Sequence, residues 1–449
     1  MYTRVGGRFR VGVQEAHLQQ EVLQSKWSLT GRIAFRFCLV YFGLYCVATQ
    51  IITSLVPIPN VDLPDPASLW PASQLILWTE AHILRISNPI AYVETGSGDK
   101  TFDWAVVVCL LIVGALATAI WSILDRRREN YDTLYKWFRL FIRIALAGQM
   151  FAYGVDKAIP LQMPFPDLTR LLEQFRDFSP ASVLWYSVGA SPAYEVFAGC
   201  AELLGGVLLI FPRTAMLGAI VCLVDMVQVF MLNMTYDIPV KLLSFHLILL
   251  SLFLLAPEFR RLSGFFFGNR TVGPSGQPQL FVSRRANRIA LAAQIVFAIW
   301  LLGMNAWGGV AAWHKYGGGS PKSALYGIWD VVELSIDGQI RSPLINDYGR
   351  WRRVVFDFPK SVVFERMDDS FAWYGASIDT SARTIALTRG GEKNWKASLK
   401  YERPAGDRLM LDGTMDSHNV HMRLVLVDRS KFMLVSRGFH WIQERPFYR

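Results

Sequence analysis

The chain has 449 residues, 52% of them hydrophobic, and a formal net charge of +10. Its apolar residues gather in long blocks, which excludes a soluble globular protein, because such a protein distributes them at helix or strand spacing around one core. The charge does not indicate nucleic-acid binding, since the basic residues form short clusters beside the apolar blocks. The composition therefore predicts an integral membrane protein whose immediate partner is the lipid bilayer.

Seven apolar blocks are long enough to cross the bilayer, which requires about 20 helical residues. They divide the chain into a basic N-terminal segment, two helices with an external loop, a core of four helices, a linker and a seventh helix. The corresponding ranges are 1–30, 31–135, 136–262, 263–286 and 287–312. The seven spans themselves are predicted at residues 33–56, 104–124, 141–159, 194–211, 215–234, 240–255 and 289–310.

The loop between the first two spans is rich in Pro and Asp and contains an amphipathic segment around Trp70 and Trp78. This segment is too short and too polar to cross the membrane, and its tryptophans are typical of the membrane–water interface. We therefore expect it to lie in the interface.

Basic clusters predict the orientation of the spans. They occur in the N-terminal segment, in residues 125–139, at Arg213 and in residues 258–288. If the spans alternate in direction, all four clusters fall on one side, which the positive-inside rule assigns to the cytoplasm. The N-terminus is then cytoplasmic and the C-terminus lies outside, in a bacterial inner membrane.

After a linker rich in Gly and Ser, residues 320–449 change to alternating polar and apolar residues. About eight short segments alternate in this way between Asp, Gly and Asn turns, and the last of them covers residues 431–439. The pattern predicts an extracytoplasmic domain of antiparallel strands, either a barrel or a sandwich.

Five polar residues lie well inside the predicted spans: Gln149, Glu202, Asp225, Gln228 and His246. An ionisable group costs at least about 2.5–3.5 kcal/mol at the centre of the bilayer, so such groups face the bundle interior and pair there. We expect Glu202, Asp225 and His246 to share one cavity. The alternative is that the polar groups only join helices, and this role is favoured for the two glutamines.

A second polar set is predicted nearer the outer surface: Tyr153, Asp156, Lys157, Glu195, Asp237 and Lys241. Glu195 and Glu202 lie two helical turns apart on the same span, so they share a helix face. The two sets are therefore expected to form one polar funnel that opens outward. The alternative, favoured for the two lysines, is a position in the interface, where charge is tolerated.

Residues 140–262 contain small-residue and basic-turn motifs: Ala198-Gly199, Glu202-Leu203, Gly205-Gly206 and Arg213. With these motifs the segment resembles the DoxX-type membrane protein family. The resemblance implies a four-helix membrane core, and several family members are associated with respiratory, quinone-linked or thiol-stress redox systems. Only Glu202 and the glycines are carried over, and the glycines have a sufficient role in close helix packing.

The β domain begins with Gly327-x-Trp329, which resembles the opening of a lipocalin-like barrel. In that architecture a Trp closes one end of the barrel and an Arg from the last strand packs on it. Arg437 lies in the last predicted strand and is the candidate for that contact. An ordinary sandwich with a buried Trp is the alternative.

Two functions are consistent with these features. The family resemblance favours a redox-associated membrane subunit whose bundle holds a quinone, with an outer domain that binds a partner. The alternative is a non-enzymatic envelope protein whose β domain binds a lipophilic small molecule or a membrane or periplasmic protein. The sequence has no haem, iron–sulfur or nucleotide motif, and its histidine spacing predicts no metal site.

Overall fold

The computed structural model describes residues 26–58, 61, 63–268 and 278–447. Seven helices in these ranges are long and apolar enough to cross a membrane, which confirms the predicted membrane bundle. They are α1 (Leu29–Ala48), α4 (Thr101–Leu124), α5 (Asp132–Ala158), α7 (Pro192–Ile210), α8 (Ala215–Thr235), α9 (Lys241–Leu255), which α10 (Phe259–Phe267) extends, and α11 (Arg284–Lys315). The shorter helices are α2 (Gln50–Thr53), α3 (Ala72–His82), α6 (Pro180–Gly189) and α12 (Met433–Ser436).

Four predicted segments lie partly outside the described residues. The parts concerned are residues 1–25 of the N-terminal segment, 59, 60 and 62 of the first loop, 269–277 of the linker and 448–449 of the β domain. The amphipathic segment of the first loop is described and forms α3, which has 11 residues and is therefore too short to cross a bilayer.

The first span is shorter than predicted. α1 ends at Ala48, Thr49 is extended with φ −114° and ψ 178°, and α2 adds a single further turn. Apolar residues continue through this break, so hydrophobicity alone did not reveal it. After the break, Gln50 Nε2 donates a hydrogen bond of 2.9 Å to the Tyr153 hydroxyl on α5.

Contacts between helix ends show that α5 runs antiparallel to α7 and to α9. Arg143 Nε, in the first half of α5, donates to the Leu209 carbonyl at the end of α7 at 2.9 Å. Arg139 Nη2 donates to the Leu254 carbonyl at the end of α9 at 3.0 Å. We call this the basic end of the bundle and the opposite one the cavity end. The predicted span begins at residue 141, whereas α5 begins nine residues earlier, at Asp132, and this extension contains Arg139.

Two glycines allow α7 to approach its neighbours closely. A Cβ atom on Gly199 would lie 2.4 Å from the backbone nitrogen of Ala158, and one on Gly205 would lie 2.8 Å from Cys222 Sγ. Contacts this short exclude larger residues unless the helices separate. The packing role predicted for the glycines is confirmed, and it places α7 against both α5 and α8.

A closed antiparallel β-barrel forms the C-terminal domain. Each strand pairs with the next, except that β1 pairs with β3 and only briefly with β2, and β9 pairs back onto β1. Eight strands close the barrel, which resolves the choice between barrel and sandwich. The strands are β1 (Gly327–Ile336), β2 (Gln339–Ile340), β3 (Trp351–Phe356), β4 (Ser361–Arg366), β5 (Phe371–Asp379), β6 (Thr384–Arg389), β7 (Glu392–Ala405), β8 (Arg408–Met415) and β9 (His418–Leu426).

The strand prediction is wrong in three places, the smallest being the two-residue β2, which was not predicted. β5 was not predicted, because its Ala, Gly and Ser residues weaken the alternation of polar and apolar side chains. Residues 431–439 were predicted as a strand, but this region contains the end of a 3₁₀ turn and α12. Because β9 already pairs with β8 and β1, the closed barrel offers no free edge to a further strand.

Trp329 is fully buried inside the barrel, and its Nε1 donates to the Leu325 carbonyl at 3.0 Å. The arginine that covers its ring is Arg403, with the guanidinium carbon 5.6 Å from the ring centroid. The role predicted for Arg437 is therefore wrong. Arg437 follows α12 instead of lying in a last strand, and its guanidinium carbon is 4.2 Å from the Phe447 ring.

The barrel belongs to a compact unit made of residues 160–196 and 310–449. Leu168 is buried with Val355 in a small apolar cluster outside the barrel core, and its N–H donates to Asp357 Oδ2 at 2.8 Å. Residues 160–196 were not part of the predicted β domain. They were predicted to belong to the membrane core.

Candidate functional site

A buried ion pair joins α5 to α7. Lys157 Nζ lies 2.6 Å from Glu202 Oε1, and the two side chains are only 9% and 2% exposed. The structure thus places Glu202 in the bundle interior, as expected. Lys157 was expected in the interface, but the close approach of α5 and α7 buries it against Glu202.

Asp225 on α8 belongs to the same group of charges. It lies within electrostatic range of Glu202 and Lys157. Within the described part of the chain, Glu202 Oε2 and Asp225 Oδ2 are buried and have no hydrogen-bond partner. One ammonium group can pair with only one carboxylate at a time, and in this structure its partner is Glu202.

The structure does not bring His246 into this group through its ring nitrogens. Its Nε2 lies 2.8 Å from the Tyr41 hydroxyl, and its Nδ1 lies 2.7 Å from the Leu242 carbonyl. The Leu242 carbonyl can only accept, so Nδ1 carries the proton in this arrangement. The ring also stacks on Tyr45, with centroids 3.7 Å apart. Both nitrogens are therefore engaged by α1 and α9, and neither is available to a carboxylate.

The two glutamines have different environments. Gln149 is buried, donates to Ser54 Oγ and accepts from Gln50 Nε2 at 3.3 Å. This network joins α5 to α2 and the turn after it, as the structural role predicts. Gln228 is exposed on the surface of α8, so it does not line the interior with the other predicted residues.

The outer polar set separates into several groups. Lys241 Nζ pairs with Asp237 Oδ1 at 3.0 Å and with Asp99 Oδ2 at 3.7 Å. Asp99 also accepts from two backbone N–H groups at the start of α9 and so caps that helix. Glu195 accepts from the Met163 N–H at 2.8 Å, within the unit that contains the barrel. These four residues therefore have structural partners, whereas Asp156 is exposed.

A cavity of about 500 Å³ opens at the cavity end of the bundle. One part of its wall is aromatic and aliphatic, and the other part carries charged and hydrogen-bonding groups. The apolar part includes Tyr45, Phe102, Val106, Val107, Leu242 and Leu243. The polar part includes Gln50, Thr53, Asp65, Tyr92, Glu94, Lys100, Asp103 and Tyr153.

Asp65 is the carboxylate in this wall whose protonation is easiest to change. Burial, followed by the charges of Asp103 and Glu94, raises the pKa of Asp65 to about 6, although Lys100 opposes this shift. The Tyr92 hydroxyl donates to Glu94 at 2.5 Å and keeps the pKa of Glu94 below its usual value. The cavity therefore combines one carboxylate that titrates near neutral pH with one that stays ionised.

Tyr153 connects the cavity with the intramembrane charges. It lines the cavity and also a second opening of about 430 Å³, which Asp156 lines as well. The charges of Asp156, Glu202 and Asp65 all act on its phenol. Among the predicted site residues, Tyr153 lines both openings. It also interacts electrostatically with Asp65 of the cavity and with Glu202 of the bundle interior. The arrangement can bind a small ligand and exchange protons with it.

Most residues of the cavity wall were not predicted from the sequence. Asp65, Tyr92, Glu94, Lys100 and Asp103 come from the first loop and the start of α4. That loop was interpreted only as a connection with an interfacial helix. The available signal was its concentration of acidic and aromatic residues between two spans, in the segments VDLPDP and YVETGSGDKTFDW.

The buried ion pair predicts a specific pattern of stability changes. Lys157→Met leaves the Glu202 carboxylate buried without a cation, so we expect a loss of about 3–5 kcal/mol in the free energy of unfolding. The double variant K157M/E202L removes both charges and should recover most of that loss. Unfolding of the full-length protein in detergent measures both effects. Gln228→Ala, on the exposed face of α8, is the control and should change stability little. A K157M variant as stable as wild type would contradict the ion pair.

Comparison with known proteins shows a similarity for part of the chain. No protein-family model matches it, and no solved structure matches it significantly. The uncharacterized protein YwoB of Bacillus subtilis (strain 168) is 36% identical over 129 residues, which are 29% of this chain and 79% of that protein. The chain therefore belongs to the same family as YwoB.

Proposed function

We propose that this protein is a redox-associated membrane subunit that binds a quinone-type ligand in the cavity at the cavity end of its bundle. The observation that carries the proposal is the combination of an aromatic wall with Asp65, whose pKa is raised to about 6. The resemblance of residues 140–262 to DoxX-type proteins supports the same role by analogy.

The residues of the cavity fit such a ligand in size and chemistry. A cavity of about 500 Å³ is within the range of small-molecule sites. Tyr45 and Phe102 contribute aromatic rings to the cavity wall, and the Tyr153 hydroxyl, which accepts from Gln50, keeps its own hydrogen for an oxygen of the ligand. A bound quinone would supply two-electron chemistry coupled to two protons.

The chain's own groups would bind and exchange those protons. Below pH 6 Asp65 is protonated and can donate a hydrogen bond, whereas above pH 6 it is ionised and can only accept. Tyr153 lines the cavity together with Asp65, and Lys157 Nζ, which pairs with Glu202, lies 5.6 Å from the centroid of the Tyr153 ring. Proton exchange between the cavity and the membrane interior would therefore proceed beside Tyr153.

A small organic cation is the second candidate ligand. The charged groups of the cavity wall are three carboxylates, Asp65, Glu94 and Asp103, and one ammonium group, Lys100. The wall is therefore more negative than positive, and the aromatic rings of Tyr45 and Tyr92 can also attract a cation. A quinone would bind best to protonated Asp65, which can donate a hydrogen bond. A cation would bind best to ionised Asp65, which carries a negative charge.

We infer that the barrel binds a protein partner through its outside. Its interior is filled by its own side chains, including Trp329, Phe364 and Trp395. A lipophilic ligand inside the barrel would have to displace these residues. This lowers the support for the alternative function, in which the β domain carries such a ligand.

We also infer that the cavity end faces the extracytoplasmic side. The basic residues of the loops gather at the other end, and the positive-inside rule assigns that end to the cytoplasm. In a cysteine-free background, Val93→Cys should react with a membrane-impermeant maleimide in intact cells. Arg127→Cys, the matched exposed position at the basic end, should react only after permeabilisation. The reverse pattern would invert the topology.

The pH dependence of binding distinguishes the two ligand classes. For decylubiquinone, we expect wild-type affinity to fall roughly tenfold as pH rises through 6, because the hydrogen bond from protonated Asp65 is lost. Asp65→Asn should bind with little pH dependence, since its amide keeps a donor. Calorimetry on the full-length protein in detergent measures these affinities.

The control variant is Asp237→Asn, which removes an exposed carboxylate at the same end of the bundle and should behave as wild type. Tetraethylammonium tests the second ligand class. If it binds more tightly as pH rises through 6 while decylubiquinone does not bind, the site takes cations and the quinone proposal is wrong.

A further inference from the structure

A second cavity lies at the basic end of the bundle and is distinct from the one described above. Its volume is about 250 Å³, and we call it the basic pocket. The start of α5 and the start of α11 supply most of its wall. Its charged side chains are Lys136, Arg139, Arg143 and Arg288, and its amide side chains are Gln279, Asn287 and Gln294.

The basic pocket contains four cations and no carboxylate among its lining residues. Among the described ion pairs, none includes any of these four side chains. Arg139 and Arg143 are nevertheless buried. A buried guanidinium without a counter-charge is costly, so the pocket lacks a negative group that the described residues do not supply.

Backbone carbonyls compensate these charges only in part. Arg143 donates to the last carbonyls of α7, and Arg139 donates to a carbonyl at the end of α9. A helix C-terminus carries roughly half a negative charge, so two of them offset about one of the four cations. Lys136 Nζ is bonded to the Leu280 carbonyl at 2.6 Å. Arg139 Nε is buried and has no partner within the described residues.

We propose that the basic pocket binds a phosphate group, carried by an anionic phospholipid. Guanidinium groups bind phosphate oxygens with two parallel hydrogen bonds, whereas the Asn287 amide already donates to the Phe281 carbonyl at 2.6 Å and to Gln279 Oε1 at 3.4 Å. Leu140 and Leu291 also line the pocket. On their membrane-spanning helices, they offer apolar contacts to the first part of an acyl chain.

The test uses the full-length protein in nanodiscs of phosphatidylcholine with increasing phosphatidylglycerol, and native mass spectrometry to count retained lipids. We expect wild type to retain phosphatidylglycerol in preference to phosphatidylcholine. The double variant K136Q/R288Q removes the two less buried cations and keeps both buried arginines. Its affinity for phosphatidylglycerol should fall roughly 30-fold, since each side chain that bonds the phosphate directly contributes about fivefold.

The matched control is R126Q/R127Q, which removes two exposed arginines after α4 at the same end of the bundle. It should retain phosphatidylglycerol as wild type does. Equal weakening in both double variants would show a diffuse surface effect and overturn the proposal. A third arm adds inorganic phosphate to the protein in phosphatidylcholine nanodiscs. Tight binding of phosphate there would assign the pocket to a soluble phosphate and overturn the lipid as its carrier.

Discussion

The high free energy of an unpaired charge in hydrocarbon governs the membrane part of this protein. A charged group at the bilayer centre costs at least about 2.5–3.5 kcal/mol, so the buried charges must meet compensating groups. Lys157 meets Glu202 across the α5–α7 contact, which Gly199 makes possible. Arg139 and Arg143 meet the carbonyls at the ends of neighbouring helices. Charge pairing thus determines which helices touch and how closely they pack.

The architecture could be predicted because it follows from patterns that extend over many residues. Apolar blocks specify seven spans, and alternation specifies strands, so the helical bundle and the β domain are both evident in the sequence. Local breaks were not evident. The extended conformation at Thr49 lies within an apolar run, and α12 replaces a predicted strand because β9 already closes on β1. The break at Thr49 and helix α12 both depend on tertiary contacts, which the spacing of apolar residues does not reveal.

The candidate site was predictable only inside the spans. Glu202 and Asp225 could be identified as candidates because ionisable residues are rare in membrane spans. Both interact electrostatically with Lys157 in the structure. His246 has the same signal, but its position is explained by Tyr41 and Tyr45. The wall of the cavity comes from a polar loop, where charged residues are ordinary and no spacing rule marks a site. Only the fold shows that Asp65 lies beside Tyr45 and Tyr153 in one cavity.

In the proposed mechanism, the ligand binds in the helical bundle and not in the barrel. This location can be tested by adding a photoreactive azidoquinone to membranes that contain the full-length protein, followed by peptide mapping. We expect labelling within residues 45–53 or 92–107 or at Tyr153, with protection by excess decylubiquinone. Labelling confined to residues 327–426 of the barrel would contradict it.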